Sequence, residues 1–316
     1  MKKTLALGLL ASALSFPALA AFPEKPVRIM VAFAPGSSTD IVARLLSEPL
    51  GSALGQPVIV ENKPGAGGNI ATQQIKAATP DGHALLMHSV AVSVNPSLFK
   101  NAGYDLVKDF EPVAMAAVTP NLLFVNPSVK ANTLAELIAL AKTTPLSYAS
   151  SGNGTTTHLG AELLFRTLAG VDITHVPHQP AAASVAVVGG QVPVGSTSMP
   201  PVVPHVKSGK VRPIAVMSLQ RSATLPDVPT VAELGYPGFE ANTWFAVFAP
   251  LGTPEAVLQR LNEEFNRALR SPAVAEKFAT QSLVAQTTDR AALRTYMAAE
   301  VAKWGKVVRD AGIKVD

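Results

Sequence analysis

Short apolar runs rich in β-branched residues alternate with stretches of helical periodicity along nearly the whole chain. Parallel strands need a crossover of a dozen or more residues, usually a helix, so this alternation points to an α/β fold with parallel sheets covered on both faces. Strands read at Val27 to Phe33, 58–60, 84–87, 121–125, 146–149, 173–176, 192–196, 211–217 and 243–249. Helices read at Thr39 to Ala53, 69–78, 133–142, 157–169, 181–188, around 201–208, 254–270 and 290–310, while the stretch between 88 and 120 has no clear period. Thr133 with Glu136 fits a capping box. No internal repeat, low-complexity run or long linker divides the 316 residues. Two domains must then be joined by short crossing strands, near 119–126 and 240–249, with the C-terminal helices returning to the first domain. The expected division is 21–121 with 246–316 for the first domain and 122–245 for the second.

Composition closes several function classes. Apolar residues make up 48% and charged residues 15%, against roughly 25% charged in an average soluble chain. Disorder is excluded, because it needs low hydrophobicity and high charge. The absence of cysteine removes a disulfide framework, thiolate metal sites, iron–sulfur clusters and a cysteine nucleophile. With 26 Lys+Arg against 22 Asp+Glu and no dense basic run, nucleic-acid binding has no footprint. At the N-terminus, Lys2 and Lys3 precede an apolar run from Leu5 to Phe16 and the small-residue segment Pro17-Ala18-Leu19-Ala20. This is the pattern of a secretory signal peptide over residues 1–20, cleaved after Ala20. The run falls short of the ~20 residues a spanning helix needs. A mature protein exported to a periplasm is expected, where nucleotide cofactors are scarce.

Chemistry-bearing candidates lie in loops that open helices. Ala34-Pro35-Gly36-Ser37-Ser38-Thr39-Asp40 follows a buried strand, and helix starts bind anions through free N–H groups and the positive dipole end. Ser37 with Asp40 also fits a capping box. Asp40 reads first as a cap that pairs with Arg44, whereas for Ser37, Ser38 and Thr39 capping and ligand contact are equally open. Ser151-Gly152-Asn153-Gly154-Thr155-Thr156-Thr157-His158 repeats the arrangement with hydroxyl donors and no net charge. Its likeness to G-x-G-x-x-G fails at Thr157, and no Walker lysine is present, so no nucleotide cofactor is expected. His158 reads as a buried hydrogen-bonding residue rather than a base. His175 and His178, three apart on a strand, point to opposite faces and lack a carboxylate shell, so no metal is expected. Neither H-E-x-x-H nor G-x-S-x-G occurs. Several helix starts converging on one cleft would hold an anion by neutral dipoles. Three or four charged hydrogen bonds at about 1.5–3 kcal/mol each, less ordering costs, reach the ~−8 kcal/mol of a micromolar complex.

The blocks Phe33-Ala34-Pro35-Gly36, Thr39-Asp40-Ile41-Val42-Ala43-Arg44, Glu61-Asn62-Lys63-Pro64-Gly65-Ala66-Gly67-Gly68-Asn69, Ser151-Gly152-Asn153-Gly154-Thr155, Gly189-Gly190-Gln191-Val192, the 225–235 segment and Trp244-Phe245-Ala246 occur in an order that resembles the Bug receptors. These are the periplasmic solute-binding proteins of tripartite tricarboxylate transporters. The resemblance implies a type II periplasmic-binding-protein fold whose two α/β domains close on a small carboxylate. It also implies inner-membrane transporter subunits as partners, and a monomer is expected. Carried over by motif, the pocket takes Phe33, Ala34, Gly36, Ser37, Ser38, Asp40 and Ser89 from the first domain. Ser151, Asn153, Thr155, Thr156, His158, His178 and Thr197 come from the second.

Three departures from the family pattern matter. Ser37 and Ser38 stand where glycines are usual, His178-Gln179-Pro180 replaces a Tyr-Lys-Gly-like segment, and Pro193 and Thr197 replace two acids. Losing an acid at Thr197 removes a partner for a ligand amine, so a carboxylate without an ammonium group, aliphatic or aromatic, is expected. Uptake, sensing and a periplasmic enzyme using His158 or His178 with the hydroxyls of 155–157 stay distinct readings at this stage.

Overall fold

The computed structural model describes residues 22–310, so the signal peptide expected at 1–20 lies outside the described residues. In chain order the first stretch runs β1 (Val27–Val31), α1 (Ser38–Leu54), β2 (Val58–Asn62), α2 (Asn69–Lys76), β3 (Ala84–Ser89), α3 (Ala91–Leu98), α4 (Leu106–Asp109) and β4 (Phe110–Thr119). The chain then crosses into β5 (Asn121–Val125), α5 (Leu134–Ala141), β6 (Ser147–Ser150), α6 (Thr156–Glu162), β7 (Thr174–Pro177), α7 (Pro180–Val188), β8 (Val194–Ser198), α8 (Met199–Lys207) and β9 (Arg212–Val216). It returns through β10 (Thr243–Pro250) and ends with α9 (Glu255–Arg270), α10 (Pro272–Thr280), β11 (Val284–Ala285) and α11 (Arg290–Asp310). One sheet has the order β11-β4-β10-β3-β1-β2 and the other β7-β6-β8-β5-β9.

Strand alternation explains why both faces of each sheet are covered. Val27, Ile29 and Val31 of β1 pack with Val42 and Leu46 of α1 and Leu261 and Phe265 of α9. Met30 points the other way, into a core with Ile75 of α2, Leu98 of α3 and Met297 of α11. In the second sheet, Leu123 and Tyr148 pack with Leu137 of α5 and Phe165, whereas Leu122 and Phe124 pack with Val187 of α7 and Val202 of α8. Each such large side chain contributes about 1.5–3 kcal/mol by leaving water.

The α/β expectation is met with one refinement: each sheet is mixed rather than wholly parallel. β1 pairs parallel with β2 and β3, but β10 runs antiparallel to β3 and β4. Likewise β6 pairs parallel with β7 and β8, while β5 runs antiparallel to β8 and β9. β5 and β10 are the strands on which the chain changes sheets, and each enters its sheet against the direction of its neighbours. Between 88 and 120, where no period is legible, lie α3, α4 and β4. Pro96 sits inside α3, and Pro112 with three alanines blunts the strand signal of β4. β4 is nonetheless fixed along its length by pairing with β10, from Thr119 opposite Thr243 to Phe110 opposite Pro250. The helix read over 157–169 ends its α-helical part at Glu162 and continues as a π turn over Leu163–Leu168.

Candidate functional site

Five connections run from the C-terminal end of a strand into a helix start: β1–α1, β3–α3, β6–α6, β7–α7 and β8–α8. Residues from all five line one small chamber of about 20 Å³, among them Ser38 and Thr39, Ser89 and Val90, Thr155 to Thr157, Pro180 and Ser198. Thr243 and Phe245 of β10 complete it. Phe33 and Ser151 are shared with an adjoining outer chamber of about 390 Å³, bounded by Gly65 to Gly68, Phe99, Gly152, Asn153, Pro177, His178 and Gln179. Neither chamber is lined by Asp, Glu, Lys or Arg. Polar character there comes from hydroxyls, amides and the positive ends of the helices, with first-turn N–H groups fewer at α7 and α8, where Pro180, Pro200 and Pro201 carry none.

Local hydrogen bonds hold these loops. Ser37 caps α1, its Oγ accepting from the Asp40 N–H at 3.2 Å. Asp40 in turn accepts from the Gly36 N–H at 2.9 Å, from Arg44 Nε at 2.9 and 3.0 Å and from Asn62 Nδ2 at 2.9 Å. Gly36 adopts φ +78°, a turn open to glycine. Thr155 caps α6 and donates to the Gly152 carbonyl at 2.7 Å, and Thr157 Oγ1 accepts from the Ser151 N–H at 3.0 Å. Across the cleft, Ser38 Oγ and Ser198 Oγ are 2.7 Å apart, a direct bond between α1 of the first sheet and the end of β8 of the second.

Beneath the 150–158 loop, His158 stacks on His175 with ring centroids 4.0 Å apart. His158 Nδ1 accepts from the Gly154 N–H at 3.4 Å, and His175 Nε2 is 2.6 Å from Ser150 Oγ, which itself accepts from the Gly152 N–H. Burial pushes His158 down to about 4 and His175 down to about 3, so both rings are neutral at pH 7. His88, wholly buried and edge-on to Phe33, is pushed down to about 4 by the same loss of water.

Of the residues expected in the pocket, Phe33, Ser38, Ser89, Ser151, Asn153, Thr155, Thr156 and His178 line the two chambers. Ala34, Gly36, Ser37, Asp40, His158 and Thr197 do not. Ala34 accepts the Ser37 N–H through its carbonyl, and Gly36, Ser37 and Asp40 are taken up by the capping network. His158 supports the loop from below. Thr197 pairs opposite Leu122 and faces the α7–α8 side of the sheet, while Ser198, one residue on, reaches the cleft. Opposite a ligand amine the chambers offer no acid, and Thr197 is not part of their lining. The chambers also take Val90, Phe99, Ser198, Thr243 and Phe245, which no motif marks. For Thr243 and Phe245 the signal was their place on a crossing strand, since both point to one side of β10.

A family model described as the tripartite tricarboxylate transporter family receptor, TctC, matches residues 42–313. The chain belongs to this receptor family. The receptor is 39% identical over 299 residues to protein BugT of Bordetella pertussis (strain Tohama I), a match covering 93% of this chain and 91% of that one. Among solved structures it resembles the periplasmic binding protein BugD with a TM-score of 0.88 and 35% identity, over 93% of this chain and 99% of the other. An R. palustris protein solved with adipate is similar at TM-score 0.89 and 33% identity, over the same shares of the two chains. The receptor thus has the fold of the periplasmic binding proteins. Among its described residues no helix is long and apolar enough to cross a membrane, and no group of three or more His, Cys, Asp or Glu could hold a metal ion.

Proposed function

We propose that this receptor captures a small carboxylate without an ammonium group in the cleft between its two sheets and presents it to inner-membrane transporter subunits. The observation that carries the reading is the gathering of five helix starts around chambers with no charged lining side chain. An anion there meets donors of partial positive charge, and no fixed acid opposes it. Adipate bound to a structural relative agrees with this chemistry. The receptor acts as a monomer in the periplasm after removal of residues 1–20. Its lobes are 21–121 with 246–316 and 122–245, moving about the crossings near Pro120 and Asn242.

Catalysis is disfavoured by the hydroxyls themselves. Thr155 and Thr157 are 2.7 Å apart and tied to backbone groups, and His158 Nδ1 accepts from an amide rather than a hydroxyl. Ser150, the hydroxyl that does touch a histidine, is buried outside the chamber linings. Thermal-shift screening of the mature protein against mono-, di- and tricarboxylates, aromatic acids and amino acids tests the proposal, because a ligand that binds only the native state raises its apparent stability. The expected result is a shift from one acid class, with that acid recovered unchanged. No shift from any acid, or conversion of the bound acid, overturns it.

A further inference from the structure

We propose that a groove on the far side of the crossings is a second ligand site, which takes an organic ammonium with an apolar body and holds it between the two lobes. Val118 and Pro120 at the first crossing and Glu240 and Asn242 at the second line this groove, whose volume is about 580 Å³. The residues next to Pro120 and Asn242 turn the other way: Asn121 accepts from Thr243, and Thr243 lines the inner chamber of the cleft. Adjacent residues of an extended strand point to opposite sides, so the groove backs onto the cleft across the crossings. One of its walls, 218–224, follows β9 of the second sheet, and the other lies on α10 and β11 of the first. The walls meet where Thr224 Oγ1 donates to the Ala279 carbonyl at 3.3 Å. Its size falls within the range of about 300–1,000 Å³ that small-molecule sites occupy, and a junction between domains is a common place for one.

The lining sets the chemistry. Leu219 on one wall and Val284 on the other are 53% and 57% exposed, so an apolar body lying between them takes aliphatic surface out of water. Two charged residues line the groove, Arg221 and Glu240. Arg221 is already paired, its Nε 3.1 and 2.9 Å from the Glu233 carboxylate oxygens and its Nη1 donating to the Pro226 carbonyl. Glu240 is exposed and, among the described residues, stands in no ion pair. It accepts from Asn242 Nδ2 at 2.7 Å, which leaves the amide oxygen of Asn242 as an acceptor without a partner. Ser282, on the first-sheet wall, is 6% exposed and its Oγ also has no partner. A carboxylate, an amide oxygen and a hydroxyl all accept, and a primary ammonium donates without accepting. An anion would meet Glu240 unopposed, and a neutral alcohol would leave that charge unmatched. The groove is thus opposite in sign to the cleft, where no charged side chain lines the chambers.

The test is calorimetric titration of the mature protein with 2-phenylethylamine, 2-phenylethanol and methylamine, which present body and charge together, body alone and charge alone. The larger amine is expected to bind about fivefold tighter than the alcohol, the upper size of a solvent-facing ion pair. It should bind more than about tenfold tighter than methylamine, which covers neither aliphatic wall. Glu240→Gln should bring amine and alcohol within about twofold of each other. Ala223→Trp, which fills the groove from an exposed position of its lining, should remove binding of both. Should the tryptophan variant fail to fold, the glutamine variant decides. The amine bound no tighter than the alcohol, a preference that survives Glu240→Gln, or no binding of the amine overturns the proposal. The chain lacks cysteine, and Ser38 Oγ lies 2.7 Å from Ser198 Oγ, so Ser38→Cys with Ser198→Cys lets oxidation lock the cleft shut. The locked form is expected to bind the amine at least as tightly as its reduced form, and a loss of about tenfold on locking would place the amine in the cleft and overturn the groove as its site. No acid enters these titrations, so each result leaves the carboxylate reading where it stands.

Discussion

Asp40 and Glu136 show what a single residue's chemistry can and cannot announce. Both stand three residues after a hydroxyl cap, and in both cases the cap does accept the expected N–H: Ser37 from Asp40 and Thr133 from Glu136. The return bond, however, lands one residue earlier than a capping box places it. Asp40 accepts from Gly36 and Glu136 accepts from Asn132, because the residue ahead of the cap is the one whose N–H lies within reach of the carboxylate. His88, His158 and His175 make the residue-scale prediction. Their ordinary value of 6.5 falls to about 4, 4 and 3 on burial. Below pH 6.5 the unfolded chain therefore takes up protons that the folded chain refuses, and stability must fall as pH falls through that window. Each histidine contributes a slope of roughly 1.4 kcal/mol per pH unit while only its unfolded form is protonated. The urea midpoint is expected to be constant above about pH 7 and to drop clearly by pH 5. Equal midpoints at pH 7 and pH 5 would show that these rings are not kept neutral.

At the scale of elements, legibility followed periodicity. The short apolar strands and the helices of clear period, β1 with α1 or β6 with β7, could be read because local pattern and tertiary burial agree there. β4 could not, since its alanines and Pro112 become a strand only by lying along β10. The site divided in the same way. Loops joining a strand to a helix start could be found from glycines and hydroxyls, but which side of a strand reaches the cleft depends on register, and that puts Ser198 rather than Thr197 in the chamber lining. The Gly65 to Gly68 loop was legible as a block and not as a wall of the outer chamber. Its last residue has φ +97°, and a Cβ there would lie 2.2 Å from His88 Nε2 and 3.0 Å from the Ala32 Cβ. Gly68→Ala is expected to destabilise the receptor by about 2–4 kcal/mol through strain and forced movement of buried groups. Gly170→Ala, at φ +62° with nothing within 4 Å, should cost about 1 kcal/mol. Urea unfolding of the two variants checks the difference, and equal losses would mean that the His88 contact relaxes freely.

For the whole molecule, the question is what sets the balance between an open and a closed cleft. The crossings are tied together by a small hydroxyl–amide cluster. Thr243 donates to Asn121 Oδ1 at 2.8 Å, Asn121 Nδ2 donates to Thr156 Oγ1 at 3.0 Å, and the two threonine oxygens are 2.6 Å apart. That cluster joins β5, β10 and the start of α6 at the crossing. The Ser38–Ser198 bond differs, because it spans the cleft itself and can exist only when the sheets are close. A buried neutral hydrogen bond is worth about 0.5–1.5 kcal/mol net, which changes a closed-to-open ratio by about two- to twelvefold. Ser38→Ala should therefore shift the ligand-free receptor toward the open form, visible as a larger radius of gyration in solution scattering. Affinity should fall as well, by at most that factor, since apparent affinity scales with the fraction of molecules competent to bind. Saturating ligand should restore the compact radius, because the acid's contacts with both lobes then outweigh the missing hydroxyl. A radius and an affinity both unchanged by Ser38→Ala would mean that the contact across the cleft does not set the balance between the two forms.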